Sequence, residues 1–399
     1  MDALSSLLNL SDEEKAARGL QHTPREIAQQ PATWLQTAAL FQALQPELER
    51  FLSASGIGLP DAEPPEVWLI GAGTSDYIGR ALCPLLRRQW KCEVHAVPST
   101  DLVAGMDDLL LPGRRYLWVS FSRSGESPEG VAVLRRALQL HTQVRHLIVT
   151  CSKDGAMARI GWDAEHAAGN AFVLPLHDRV NDRSLAMTSS FSNMVVAGQC
   201  LAHFKRFNQY EPILRAMNTA AGQVLPLAAE LASLISFAGC TRACFVGSGA
   251  LRAVAIESSL KVTELTAGGI VSFSESTLGL RHGPMSAIDE QTLFVLYLSR
   301  RPDRCSYDLD LLAEIAAKKL GKIRAVVAPD PIAKLDGLAT HPLILNLPAN
   351  CGDEYRPPLD VIFGQLLGLF SSIRAGLKPD CPSPAGIIHR TVANVKIYG

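Results

Sequence analysis

"VWLIGAGTSDYIGRAL" covers residues 67–82, and "ACFVGSGALRAVAIES" covers residues 243–258. Each is a short apolar run that stops at Gly-x-Gly and continues into helix-forming residues. Each therefore predicts a buried parallel strand feeding directly into a helix. Gly71 and Gly73 return as Gly247 and Gly249, 176 residues later. A second landmark repeats at almost the same spacing, "LWVSFSR" (117–123) against "FVLYLSR" (294–300), with Ser122 matched by Ser299. Two landmarks at one spacing indicate a duplicated, doubly wound α/β domain with parallel sheets.

The surrounding pattern fills in the first copy. Strands are expected at "VWLIG" (67–71), "EVHAV" (93–97), "YLWVSF" (116–121) and "RHLIVT" (145–150), with amphipathic helices over 76–90 and 128–140 between them. This is βαβ logic with right-handed crossovers. Residues 1–50 read as a helical arm, 51–207 as the first domain, 208–238 as a helical connection and 239–399 as the second domain.

Composition narrows the class. With 399 residues, 47% apolar and 19% charged, the chain has ample core for two domains. A net charge of −1 argues against nucleic acid or an anionic membrane as bulk partner. No apolar run reaches the roughly 18 residues of a bilayer span, and the acidic N-terminus lacks a signal peptide's basic start. The nine cysteines are scattered, and the close pair Cys240 and Cys244 has no second pair to complete a zinc site. Reduced thiols in a cytoplasmic enzyme without metal or organic cofactor is the expectation.

The copies differ in one informative place. After "SFSR" the first continues "SGESPE", whereas after "YLSR" the second continues "RPDRCSYD". Folding alone does not require the serines, because the second copy manages without them. Ser122, Ser124 and Ser127 lie between a strand and a helix N-terminus, where free N–H groups and the helix dipole favour an anion. Ser127 before Pro128 reads as an N-cap followed by proline at N1. Without a P-loop lysine the anion is a phosphate monoester, not a nucleoside triphosphate. "GAGTSDYIG" lacks the third glycine of a dinucleotide fingerprint, since Asp76 occupies that position. Thr74 and Ser75 instead add hydroxyls beside the serine cluster. "AMTSSFS" (186–192) holds Thr188 and Ser189, which either complete the cradle or only cap a helix.

The second half carries titratable groups. Glu257, Lys261 and Glu264 fall at i, i+4 and i+7, one face of a largely apolar helix. Such spacing is commonly an exposed ion pair worth a few tenths of a kcal/mol. Here it is followed by "SFSESTLGLRHGPMS" (272–286), read as a Gly- and Ser-rich loop carrying Glu275 and His282. A histidine, carboxylates and a lysine so close in sequence form a plausible acid–base set.

These residues together resemble a known family. "SFSRSGESPE", "GAGTS" and "ESSLKVTEL…LRHGP" resemble the sugar isomerase (SIS) domain, in the double arrangement found in the isomerase half of glucosamine-6-phosphate synthase. "EIAQQPATW", "VPSTDLV", "HDRVNDRSLAMTSS", "TELTAG" and "YDLDLLAE" resemble, more closely, the galactosamine-6-phosphate deaminase/isomerase family, also labelled tagatose-6-phosphate ketose/aldose isomerase. The resemblance runs from about residue 25 to the C-terminus. No glutaminase domain precedes it, so the synthase reaction is not expected.

The resemblance implies two flavodoxin-like SIS domains and a sugar-phosphate substrate. Thr74, Ser75, Ser122, Arg123, Ser124 and Ser127 would hold the phosphate, with Thr188 and Ser189 in support. Arg123 stands where the synthase has glutamine. Glu264 matches the base that moves a proton between C1 and C2, and Glu257 and Lys261 match supporting residues. His282 matches the ring-opening histidine, which in the family comes from the neighbouring subunit of a homodimer. The synthase's C-terminal lysine aligns with Asn394, and Lys396 is out of register. Deamination to a ketose phosphate is the implied reaction. Plain aldose–ketose isomerisation and a non-catalytic sensor are the alternatives.

Overall fold

The computed structural model describes residues 1–59, 63–392 and 395–398. The arm forms five helices, α1 (Ala3–Leu8), α2 (Asp12–Arg18), α3 (Thr23–Ala28), α4 (Gln30–Ala43) and α5 (Gln45–Ala54). There follow β1 (Glu66–Gly71), α6 (Thr74–Trp90), β2 (Val94–Pro98), α7 (Ser99–Leu109), β3 (Tyr116–Ser122), α8 (Pro128–Leu140), β4 (Val144–Thr150), α9 (Ala156–Ala168), β5 (Ala171–Pro175) and α10 (Ser189–Ala202). After the long α11 (Phe207–Ser236) the cycle restarts with β6 (Arg242–Gly247), α12 (Ala250–Leu265), β7 (Val271–Ser276), β8 (Thr292–Tyr297), α13 (Pro302–Ala317), β9 (Ile323–Ala328), β10 (His341–Ile344) and α14 (Pro357–Arg374).

The strands form two five-stranded sheets, ordered β2-β1-β3-β4-β5 and β7-β6-β8-β9-β10. All pairings are parallel. Both follow the flavodoxin-like order 2-1-3-4-5, so the duplication legible in the sequence is a duplication of topology. The inner strands are mostly apolar because helices cover both faces; every residue of β3 and of β8 is buried. The repeated glycines serve the same turn twice. Gly73 and Gly249 share a left-handed conformation (φ 55°, ψ −126° and φ 60°, ψ −127°). A Cβ on Gly71 would lie 2.3 Å from the Ser75 carbonyl carbon, and one on Gly247 would lie 2.4 Å from the Leu251 oxygen. Gly-x-Gly is thus a strand-to-helix turn common to both copies.

The described chain packs as two compact units. One contains Thr33–Asn181, Ser189–Glu211 and Ile388–Gly399 and carries the first sheet. The other contains Met1–Ala32, Asp182–Thr188 and Pro212–Ile387 and carries the second.

Two expectations are corrected. Residues 272–276, read as the start of a loop over 272–286, belong to the edge strand β7 (Val271–Ser276), paired with β6 from Arg242–Val271 to Gly247–Ser276. Its alternating Ser, Phe and Glu residues stay half-exposed because an edge strand has only one neighbour. The repeat spacing already marked it, since β2 begins at Val94 and β7 at Val271. In addition, α11 is long and apolar enough to meet the length and hydropathy of a bilayer span, with 44% of its most apolar window buried. Polar residues interrupt its apolar runs, so the sequence reads as the helical connection 208–238 and not as a span. All nine cysteines are free, and burial pushes the Cys83 thiol up to about 12 and the Cys92 thiol up to about 11.

Candidate functional site

In the first sheet, β1 and β3 are neighbours whose onward connections leave in opposite directions, since β2 and β4 lie on opposite sides of the pair. The loops at their carboxyl ends therefore flank the topological switch point, where open α/β sheets bind ligands. The β1 loop presents Thr74 and Ser75 in the first turn of α6, both buried. The β3 loop runs from Ser122 to Ser127.

The serines of that loop have a structural duty first. Ser122 Oγ accepts a hydrogen bond from Gly125 N (3.0 Å), and Ser124 Oγ accepts one from Glu126 N (3.2 Å). Gly125 adopts φ +68°, which completes the turn. A hydroxyl that accepts in this way still has its own proton to donate, so shaping the loop and holding an anion are compatible. Ser127 occupies the N-cap position of α8, with Pro128 after it, but its side chain makes no cap hydrogen bond. The expected capping role is corrected. Its hydroxyl instead lies over Gly130, 2.7 Å from where a Cβ would stand.

Arg123 is buried and donates to the carbonyl oxygen of Arg390, whose guanidinium donates to Asn181 Oδ1 at 2.6 Å. It thus engages the C-terminal segment of its own unit. Thr188 is fully buried. Its backbone N–H donates to Asp182 Oδ2 (2.8 Å), its hydroxyl lies 3.4 Å from Asp182 Oδ1, and its carbonyl accepts from Gln365 Nε2 at 3.3 Å. Ser189, equally buried, opens α10 and accepts from Asn193 Nδ2 at 2.8 Å through its carbonyl.

In the second-sheet unit, α12 is buried almost all round, because α14 presses against it. A Cβ on Gly364 would fall 2.1 Å from Ser258 Oγ, and one on Gly368 would fall 2.7 Å from Leu265 Cδ1. Only glycine permits this approach, which seals Glu257 and Lys261 from solvent. The Lys261 ammonium lies 3.3 Å from Glu257 Oε1 and 2.5 Å from Glu264 Oε2. Glu257 and Lys261 have no exposed side chain, whereas Glu264 is 22% exposed. The row is therefore a buried ion triad whose one solvent-reaching member is Glu264, not an exposed helix pair. Burial alone would lower the Lys261 pKa, but the charges of Glu257 and Glu264 outweigh it and hold the ammonium above its ordinary value.

Glu275 sits on β7 and accepts from Arg252 (3.1 Å) and from Ser276 N (2.6 Å). His282 follows the single 3₁₀ turn Gly279–Arg281 and is exposed. Lys396 places its ammonium 4.8 Å from the Tyr398 ring centroid, and Asn394 lies outside the described residues. Among the described residues no three His, Cys, Asp or Glu side chains gather as a metal site.

One residue escaped the sequence reading. Glu26 is buried on α3 and gathers Arg183 N (2.6 Å), Ser184 N (3.4 Å) and the Ser184 hydroxyl (2.5 Å), so the arm anchors the segment that leads to Thr188. Burial first, and then the charge of Asp182, raise its carboxyl to about 7. A lone glutamate in the otherwise uncharged "EIAQQPATW" was the available signal.

No family model matches the chain. D-galactosamine-6-phosphate deaminase AgaS of Escherichia coli is 34% identical over 379 residues, covering 94% of this chain and 95% of that protein. D-galactosamine-6-phosphate deaminase AgaS of Shewanella sp. strain ANA-3 is 31% identical over 396 residues, covering 98% and 96%. The crystal structure of tagatose-6-phosphate ketose/aldose isomerase from Escherichia coli superposes with a TM-score of 0.82 at 32% identity, over 92% of this chain and 95% of that one.

Proposed function

The chain belongs to the D-galactosamine-6-phosphate deaminase AgaS family, and we propose that it converts D-galactosamine 6-phosphate and water to D-tagatose 6-phosphate and ammonia. The observation that carries the chemistry is the Glu257–Lys261–Glu264 triad. A proton shuttle between neighbouring carbons needs a carboxylate that is held in place and still meets the substrate. Glu264 fits this requirement, held by a fully buried cation yet open to solvent on its outer side.

The phosphate is assigned to the hydroxyls of Thr74, Ser75, Ser122, Ser124 and Ser127 and to the helix N-termini beside them. His282, given by a second copy of this chain, helps open the pyranose; its exposure on its own chain supports this assignment. Glu264 then takes the C2 proton of the open-chain amino aldehyde. The C2–H electron pair becomes the C1–C2 double bond while the C1 carbonyl π pair moves onto O1, which takes a proton from solvent, giving an enolamine. The C1–C2 π pair takes the proton back at C1 while the nitrogen lone pair forms a C2=N iminium. Water adds at C2, its proton passes to nitrogen, and ammonia leaves as the C2 hydroxyl collapses to the ketone. Glu257 and Lys261 act as positioning residues. A hydroxy-aldose phosphate would follow the same path and stop at the ketose, which links the reaction to the isomerase name of the solved relative. The protein is assigned to the cytoplasm as a homodimer or larger homo-oligomer.

The test measures ammonia release from galactosamine 6-phosphate and glucosamine 6-phosphate, and ketose formation from galactose 6-phosphate. Ammonia from the galacto amino sugar is expected. No ammonia from either amino-sugar phosphate overturns the deaminase reading. Glu264→Gln should abolish turnover and the exchange of the C2 hydrogen with deuterated solvent, while calorimetry still detects sugar-phosphate binding. Exchange at the wild-type rate would move the base elsewhere, first to Glu275.

A further inference from the structure

The second sheet has a switch point of its own between β6 and β8, equivalent by strand order to the β1/β3 crevice. It is furnished in a parallel way. Ser248 follows β6, Ser299 follows β8, and α13 starts with Pro302 at N1 as α8 starts with Pro128. Ser299 Oγ accepts from Arg301 N (3.2 Å), repeating the bond that Ser122 Oγ receives from Gly125 N. Yet this crevice is filled from within.

Asp353, which lies between β10 and α14 and is 1% exposed, places its carboxylate on the donors of the β8 loop. It accepts from the Ser299 hydroxyl, from Arg300 N (2.9 Å) and from the fully buried guanidinium of Arg356 (3.2 Å), with Arg304 3.9 Å away. Asp308 of α13 takes what remains: Ser299 N (2.9 Å), the Thr277 hydroxyl (2.5 Å) and, more distantly, Ser248 (3.4 Å). A serine hydroxyl, a loop N–H and two guanidinium groups converging on one oxyanion make the donor set of a phosphate site. The occupant is a side chain of the same unit.

We propose that the second unit retains an oxyanion site at its own switch point and keeps it permanently filled by the Asp353 carboxylate, which acts as an internal ligand. Each chain then offers one open phosphate site, in the first unit; this last clause rests on the function proposed above, whereas the internal ligand does not. The proposal also accounts for the divergence after "YLSR". Once a carboxylate is supplied in cis, the loop needs one serine and fewer residues, and the first copy's cluster is superfluous there. It likewise gives the "YDLDLLAE" motif a role, since Asp308 satisfies the donors that Asp353 does not reach.

The test is chemical rescue. Asp353→Ala should lower the unfolding temperature by on the order of 10 °C, because it strands the Ser299 hydroxyl and Arg300 N–H and removes one of the two carboxylates on the buried Arg356, which keeps Asp360 at 2.7 Å. Potassium formate should restore most of that loss with a saturating dependence, while potassium chloride at equal ionic strength should not. Inorganic phosphate should act in the same way, and calorimetry should find a phosphate site in Asp353→Ala that the wild type lacks. Asp353→Asn fills the same space without the charge, so it should lose stability and gain nothing from formate. If Asp353→Ala does not accumulate folded, refolding it in formate against chloride gives the same comparison as soluble yield. Wild-type stability in Asp353→Ala would overturn the proposal, as would equal effects of formate and chloride on unfolding or on yield. Neither outcome depends on ammonia release, so failure here is distinguishable from failure of the proposed activity.

Discussion

Replacing Lys261 with methionine is the sharpest probe of the catalytic helix. At an effective dielectric of about 20, unit charges 2.5–3.3 Å apart attract by roughly 5–7 kcal/mol. Desolvation of a side chain with no exposed area offsets part of this. Removing one partner of a buried pair typically costs about 3–5 kcal/mol, because the remaining charge stays buried without its counter-ion. Glu257 is that remaining charge, since Glu264 can turn to water. Lys261→Met should therefore destabilise the second-sheet unit by about 3–5 kcal/mol, read as a fall in unfolding temperature of about 10 °C. Adding Glu257→Leu removes the stranded carboxylate and should bring the double variant back to within about 1 kcal/mol of wild type. The pH dependence is fixed in sign. The folded pKa of Lys261 lies above its ordinary 10.5, so its contribution is complete below that pH and is lost only as pH rises through the folded value. Titration of Lys261 itself should thus add no pH dependence to wild-type stability from about pH 6 to pH 9. Urea melts at several pH values provide the assay. A single-variant loss under about 1 kcal/mol, or a double variant that simply sums the two singles, would refute the counter-ion role.

Three further outcomes are expected. Ser122→Ala and Ser124→Ala should each raise KM for the sugar phosphate about 10- to 100-fold, the loss of one hydrogen bond to a charged group, with circular dichroism unchanged; an unchanged KM would leave these serines as loop formers only. Mixing inactive His282→Ala with inactive Glu264→Gln chains should restore about a quarter of wild-type activity, because random pairing makes half the dimers mixed and each mixed dimer has one intact site; no recovery after verified subunit exchange would place both residues in one chain's site. Glu26, raised from 4.5 to about 7 by burial and by Asp182, holds its proton in the folded state alone between those values, so wild-type stability should fall by about 3 kcal/mol as pH rises from about 5 to 8, and Glu26→Gln should lack this slope. Parallel slopes in the two proteins would remove Glu26 as the titrating group.

Much of this protein is written locally in its sequence. Parallel strands covered on both faces must be continuously apolar, so β1, β3 and β4 can be read from composition alone. The Gly-x-Gly turns need a left-handed residue and a close helix approach, which only glycine supplies, so the duplication carries its own markers. The serine cluster is visible because the second copy does without it. What the sequence leaves open depends on contacts between distant segments. The edge strand β7 has a single partner to bury against, so its composition matches a loop, and only its register with β6 makes it a strand. Ser127 precedes a helix-starting proline, yet its hydroxyl makes no cap hydrogen bond. Helical spacing places Glu257, Lys261 and Glu264 on one face but cannot say whether that face is wet. Gly364 and Gly368, a hundred residues further on, decide it by letting α14 close over α12, and exclusion of water turns a weak surface pair into a buried triad. Asp353 lies still further outside local reading, because an aspartate becomes a ligand only when the fold brings it to Ser299, Arg300 and Arg356.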